Sequence, residues 1–164
     1  MERNGAVTMK GNPLTLVGAE VKVGDKAPGF TVVNQALQPV TLADYAGKTV
    51  VISVTPSLDT PVCDFQLRKF NADLGGKDVA VLNISMDLPF AIKRFCALAE
   101  IENAVGLSDH KDASFGEAYG VLIKELRLLA RAVFVVQDGV VTYAEVVPEA
   151  TDAPNYDKLL AFIG

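Results

Sequence analysis

The residues best suited to chemistry lie in one run, Thr55 Pro56 Ser57 Leu58 Asp59 Thr60 Pro61 Val62 Cys63. It follows the β-rich segment Val50 to Thr55 and precedes a helical stretch, the place where open α/β sheets carry their sites. With Thr60 as N-cap and Pro61 in the first helical position, Cys63 becomes the third helical residue. Its sulfur then lies near backbone N–H groups without helical partners and near the positive end of the helix. Both favour the thiolate, which is the nucleophilic form. An accessible, acidic sulfhydryl is therefore expected at Cys63. The plainer reading of the same residues is an inert buried cysteine, a strand terminator at Pro56 and an ordinary cap at Thr60.

A thiolate needs a countercharge. His110 stands in the polar stretch Ser108 Asp109 His110 Lys111 Asp112 and reads as a loop residue facing solvent, not as a base. Arg131 immediately precedes the apolar run that begins at Ala132, and its permanent charge makes it the candidate partner of Cys63. The second cysteine, Cys96, shares a helical face with Ile92, Phe95 and Ala99, which by itself is the pattern of a core residue.

These residues need a scaffold. Val50 to Thr55 reads as a buried central strand, and the helix after it, with Phe65, Phe70 and Leu74 facing inward, stops at Gly75 and Gly76. Val79 to Ile84 is a second strand, so the unit implies parallel pairing with a right-handed crossover. A helix is predicted from Pro89 to about Ala99, and a weaker one from Ala113 to Tyr119. The pattern of Val121 to Leu129 does not decide between helix and strand. Ala132 to Val136 and Val140 to Val147 flank Gln137 Asp138 Gly139 as an antiparallel hairpin. Asn155 to Phe162 closes the chain as a helix, and Ala6 to Met9 with Leu14 to Val17 opens it as an N-terminal β-hairpin. The sum is one α/β domain over residues 1–164, a mixed central sheet flanked by helices on a thioredoxin-like plan.

Composition sets limits on function. The 164 residues are 50% hydrophobic and 21% charged, which fits one domain with a sizeable core. A net charge of −5 without a basic run argues against nucleic acid as a partner. Two cysteines and one histidine are too few for a disulfide-dense scaffold or the usual structural zinc site. No metal or other cofactor is expected. Without a signal-like or membrane-spanning segment, a cytoplasmic protein that does not enter membranes is expected. In such a reducing compartment a transient disulfide is favoured over a permanent one.

The sequence resembles the thiol peroxidase branch of the peroxiredoxins, atypical two-cysteine enzymes of thioredoxin-like fold. The marks are the pattern Pro-x-x-x-Thr-x-x-Cys from Pro56 to Cys63; Asp87 Leu88 Pro89 Phe90 Ala91 followed by Arg94 Phe95 Cys96; Leu128 Leu129 Ala130 Arg131 Ala132; and Pro154 Asn155 Tyr156. The resemblance implies that Cys63 is the peroxidatic cysteine, with Thr60 arranging the sulfur and the peroxide oxygens. It implies that Arg131 stabilises the thiolate and the developing charge, that Pro56 shields the pocket, and that Cys96 is the resolving cysteine. It further implies reduction of hydrogen peroxide and organic hydroperoxides, an intrachain Cys63–Cys96 disulfide recycled by thioredoxin, an antioxidant role and a homodimer. One departure is the connection from Tyr119 to Arg131, which lacks the Gly-Pro turn of many relatives and could form a pocket rim, an interface or core. Two other readings remain: thiol–disulfide exchange on another protein, weakened by the absence of Cys-x-x-Cys, and a redox-responsive binding protein.

Overall fold

The near-continuous apolar run Val50–Val54 already requires a packed layer on each face, and the computed structural model, which describes residues 1–164, supplies both. Strands β1 (Glu2–Met9) and β2 (Asn12–Val17) form the opening hairpin. It is longer than the sequence pattern indicates, because Lys10 and Gly11 both take positive φ and make a two-residue turn that leaves Asn12 and Pro13 free to pair. Strands β3 (Thr31–Val33) and β4 (Pro39–Thr41) come next, then a short 3-10 turn at Leu42–Tyr45. The central unit is β5 (Val50–Val54), α1 (Pro61–Leu74), β6 (Ala80–Ser85), α2 (Pro89–Leu98) and β7 (Ala104–Ser108). After α3 (Ser114–Ala118) come β8 (Leu122–Ile123), β9 (Leu128–Leu129), β10 (Ala132–Gln137), β11 (Val140–Val146) and α4 (Tyr156–Ile163).

Seven strands form one mixed sheet in the order β11-β10-β5-β6-β7-β3-β4. The β5, β6 and β7 strands run parallel, whereas β10 pairs antiparallel with β5 and β3 antiparallel with β7. Val50, Ile52 and Val54 face a layer that includes Phe115, Tyr119 and Phe134. Val51 faces the opposite layer, built from Leu67, Phe70 and Leu74 of α1, Ile92 and Cys96 of α2, and Leu159 of α4. Ser53 falls on that second face by the same period of two, and so points a hydroxyl at α1.

The undecided segment forms the β8–β9 hairpin, which joins β2 to make a second, four-stranded sheet. Val121, Leu122, Ile123 and Leu129 are buried there, so this connection completes the core of the chain. One helix assignment is corrected. Phe65 is 57% exposed, because the buried stripe of α1 is Cys63, Gln66, Leu67, Phe70 and Leu74, and Phe65 lies one residue off it. Its ring instead meets the edge of Tyr156 at 5.9 Å.

Candidate active site

The strand–helix connection holds Cys63 where the sequence places it. Thr60 is the N-cap with extended φ and ψ, its carbonyl accepting from Asp64 N at 2.9 Å, and Pro61 opens α1. The Thr60 side chain does not cap the helix. Its hydroxyl donates to Ser57 O at 3.0 Å, tightening the loop. Pro56 is buried at the end of the strand. Asp87, just past β6, ties this loop down by accepting from Ser57 Oγ at 2.8 Å, Leu58 N at 2.7 Å and Ser85 Oγ at 2.9 Å.

Arg131 reaches Cys63 from the far side of the helix start. Its Nη2 donates to Cys63 Sγ at 3.2 Å, its Nη1 to Gln66 Oε1 at 2.9 Å and its Nε to Ala150 O at 3.0 Å. The residue is 2% exposed. A buried guanidinium is costly unless a negative charge offsets it. Of its three acceptors only the thiol can acquire one, and none of the ion pairs in the structure involves Arg131. The arrangement therefore sets a buried cation with no carboxylate partner against the sulfur.

The expectation of an accessible sulfhydryl is corrected: Cys63 is fully buried. Thr60 and Pro61, three and two residues before it, are exposed. His110 lies half-buried in the loop after β7.

Cys96 sits near the end of α2 and is also unbonded, so the structure is the dithiol form. Gly106 on β7 lets α2 approach closely: a Cβ there would lie 2.5 Å from Ile92 Cγ2 and 3.2 Å from Cys96 Sγ. Burial pushes the Cys96 thiol above its ordinary range, partly offset by a hydrogen bond with Gln35. Between the Cys63 loop and α2 lies a cleft of about 410 Å³ lined by Leu58, Asp87, Ala91, Arg94 and Phe95.

Three contributors were not singled out by sequence reasoning: Gln66, Ser53 and the Ala150 carbonyl. Gln66 had a readable signal, since it follows Cys63 by three residues and a polar side chain on a buried helical stripe calls for a partner. Tyr156 packs its ring edge-on against Phe70 at 5.3 Å, and its hydroxyl is buried without a hydrogen-bond partner. Burial is the main cause that pushes this phenol up to about 12; Arg131 lowers it and Cys63 raises it, so α4 closes over the same site.

The Redoxin family model matches residues 22–160. The chain belongs to the redoxin family, in its thiol peroxidase branch. It is 62% identical over 156 residues to a thiol peroxidase of Listeria innocua, covering 94% of each chain, and 60% identical over 157 residues to one of Halalkalibacterium halodurans, covering 94% and 95%. Among solved structures, a peroxiredoxin-like protein from Aquifex aeolicus superposes with a TM-score of 0.91 at 44% identity over 97% of this chain and 95% of that one. A thiol peroxidase from Chromobacterium violaceum, at 21% identity and a TM-score of 0.87 over 95% and 93%, shares the fold. The thioredoxin-like architecture expected from the sequence is that of this redoxin.

Proposed function

We propose that this redoxin is a thiol-dependent peroxidase that reduces hydrogen peroxide and organic hydroperoxides to water and alcohols, with Cys63 as its nucleophile. The observation that carries the reading is the buried Arg131 guanidinium donating to Cys63 Sγ at 3.2 Å with no carboxylate to neutralise it. The thiolate attacks the terminal peroxide oxygen and the O–O bond breaks. Sulfur keeps the OH as sulfenic acid, and the alkoxide or hydroxide takes a proton and leaves. The Arg131 cation offsets charge on sulfur and on the leaving oxygen; Thr60 orients the peroxide, and Pro56 shields the pocket.

Cys96 then attacks the sulfenic sulfur, releasing water and forming the Cys63–Cys96 disulfide. That bond needs Cα atoms within about 7 Å. With one thiol at the start of α1 and the other near the end of α2, local unwinding of these ends brings the sulfurs together. A dithiol reductant of the thioredoxin type takes the disulfide back to two thiols, no metal or bound cofactor entering the cycle. The whole of residues 1–164 acts as one cytoplasmic antioxidant domain, working as a homodimer.

Stopped-flow oxidation of the reduced protein by hydrogen peroxide and by an alkyl hydroperoxide tests this reading. Fast first-step oxidation is expected, abolished in Cys63→Ser. The Cys96→Ser variant should keep that step and lose thioredoxin-supported turnover. Slow oxidation of the intact protein, or an unchanged rate in Cys63→Ser, defeats the assignment.

A further inference from the structure

Arg131 heads a line of hydrogen bonds that leads away from Cys63 into the sheet. Arg131 Nη1 donates to Gln66 Oε1 at 2.9 Å, and Gln66 Nε2 donates to Ser53 Oγ at 2.7 Å. Ser53 Oγ donates in turn to Asn83 Oδ1 at 3.1 Å, and Asn83 Nδ2 to Thr55 Oγ1 at 3.3 Å. Gln66, Ser53, Asn83 and Thr55 are all fully buried.

Every donor in the line points the same way. The Ser53 hydroxyl hydrogen is committed to Asn83, so an oxygen lone pair faces Gln66. The Gln66 amide must then turn its NH2 toward Ser53 and its oxygen toward the guanidinium. Reversing any one member sets donor against donor or acceptor against acceptor in a place water does not reach, where an unmet polar group is expensive. Ser53 and Asn83 stand on neighbouring parallel strands, paired residue to residue. Arg131, which can only donate, fixes the direction of the line, and the two paired strands fix where the Gln66 amide is held to receive it. With Nε held by the Ala150 carbonyl and Nη1 by Gln66, Nη2 is left aimed at the sulfur.

Apolar side chains at positions 53 and 83 would suit a strand covered on both faces better than a hydroxyl and an amide do. We propose that Gln66, Ser53 and Asn83 are positioning residues, a relay that sets the orientation of Arg131 toward Cys63. The proposal rests on Cys63 being the nucleophile; none of the three touches the reacting sulfur through a hydrogen bond.

The test compares full-length wild type with Ser53→Ala, Ser53→Thr, Gln66→Met, Arg131→Met and the double variant of Gln66 and Arg131. The first oxidation step with hydrogen peroxide is followed across pH, and alkylation of Cys63 by iodoacetamide serves as a second readout. Ser53→Ala and Gln66→Met should slow both reactions about tenfold at neutral pH and displace their pH profiles upward. Ser53→Thr, which keeps the hydroxyl, should recover the rate to within about twofold. Gln66→Met should add no further slowing once Arg131 is already methionine, because the relay acts only through that residue. Wild-type rates and profiles in Ser53→Ala and Gln66→Met, or full additivity with Arg131→Met, overturn the relay. Circular dichroism establishes folding of each variant, and if Gln66→Met does not fold, the contrast between Ser53→Ala and Ser53→Thr decides. Should wild type fail to react with peroxide, the functional reading falls, while the ordering of alkylation rates still decides the relay.

Discussion

A cysteine becomes a useful nucleophile through what surrounds its sulfur, and in the function proposed for this chain the deciding neighbour of Cys63 is the buried Arg131 cation. Arg131 is buried and spends its donors on Cys63, Gln66 and a backbone carbonyl. Replacing it with methionine keeps much of the apolar stem and removes the charge. Arg131→Met should lower the first-step oxidation rate by about 10²–10³-fold, the range for losing one preorganised donor at a developing charge. Stopped-flow measurement at fixed pH reads this, and a loss under about tenfold would show that the helix start alone activates the sulfur. The position of Cys63 was legible in the sequence because Thr60 and Pro61 mark the helix start. The burial of its sulfur was not, since the loop before it is held by Asp87, just past β6, which accepts from Ser57 and Leu58 far away in sequence. Nor does residue spacing reveal which guanidinium nitrogen faces sulfur.

At the scale of elements, the carbonyl that fixes Arg131 Nε belongs to the loop after β11, and that loop is clamped to the N-terminal hairpin. Glu149 accepts from Thr8 Oγ1 at 2.9 Å, Lys10 N at 3.1 Å and Gly11 N at 2.8 Å. It also accepts from Thr151, whose hydroxyl is the largest of the influences that hold the Glu149 carboxyl well below the usual range. A depressed carboxylate stabilises the fold above its unfolded-state value, and this contribution fades as pH falls through its lower folded-state value. Glu149→Ala should therefore melt at a lower temperature than wild type near neutral pH, with the gap closing in strong acid. A gap that does not change with pH would mean the clamp is not ionic. The hairpin itself was readable from its turn residues. Its partnership with residues 148–151 was not, because contacts between segments so distant in sequence leave no local pattern; Thr8 and Ala150 meet only through the fold. The weak α3 has a similar cause. Asp109 supplies its capping carboxylate from outside the helix, accepting from Phe115 N at 3.0 Å and Gly116 N at 2.8 Å. The inward assignment of Phe65 failed for a different reason: two aromatic residues five apart cannot both centre on one helical stripe, and Phe70 takes it.

Across the whole molecule, the apolar runs of β5 and β10, the turn before β11 and the strand–helix–strand unit made the mixed sheet legible from sequence, and the sheet order follows the expected crossover. No helix is long and apolar enough to cross a membrane. The connection between Tyr119 and Arg131 was ambiguous because two-residue strands carry too few residues for a period to show. Its burial removes this segment as a surface for the proposed homodimer, whereas Leu88, Phe90 and Leu98 around α2 are exposed. Light scattering of the reduced protein should give twice the chain mass at micromolar concentration. A single-chain mass that does not vary with concentration or redox state would remove the homodimer.

The most direct test of the central claim is peptide mapping under nonreducing conditions after one equivalent of hydroperoxide, repeated after reduction by thioredoxin. The account predicts a single new linkage joining the Cys63 and Cys96 peptides, absent again once thioredoxin has acted. Peroxide consumption with Cys63 left as a free thiol would contradict it.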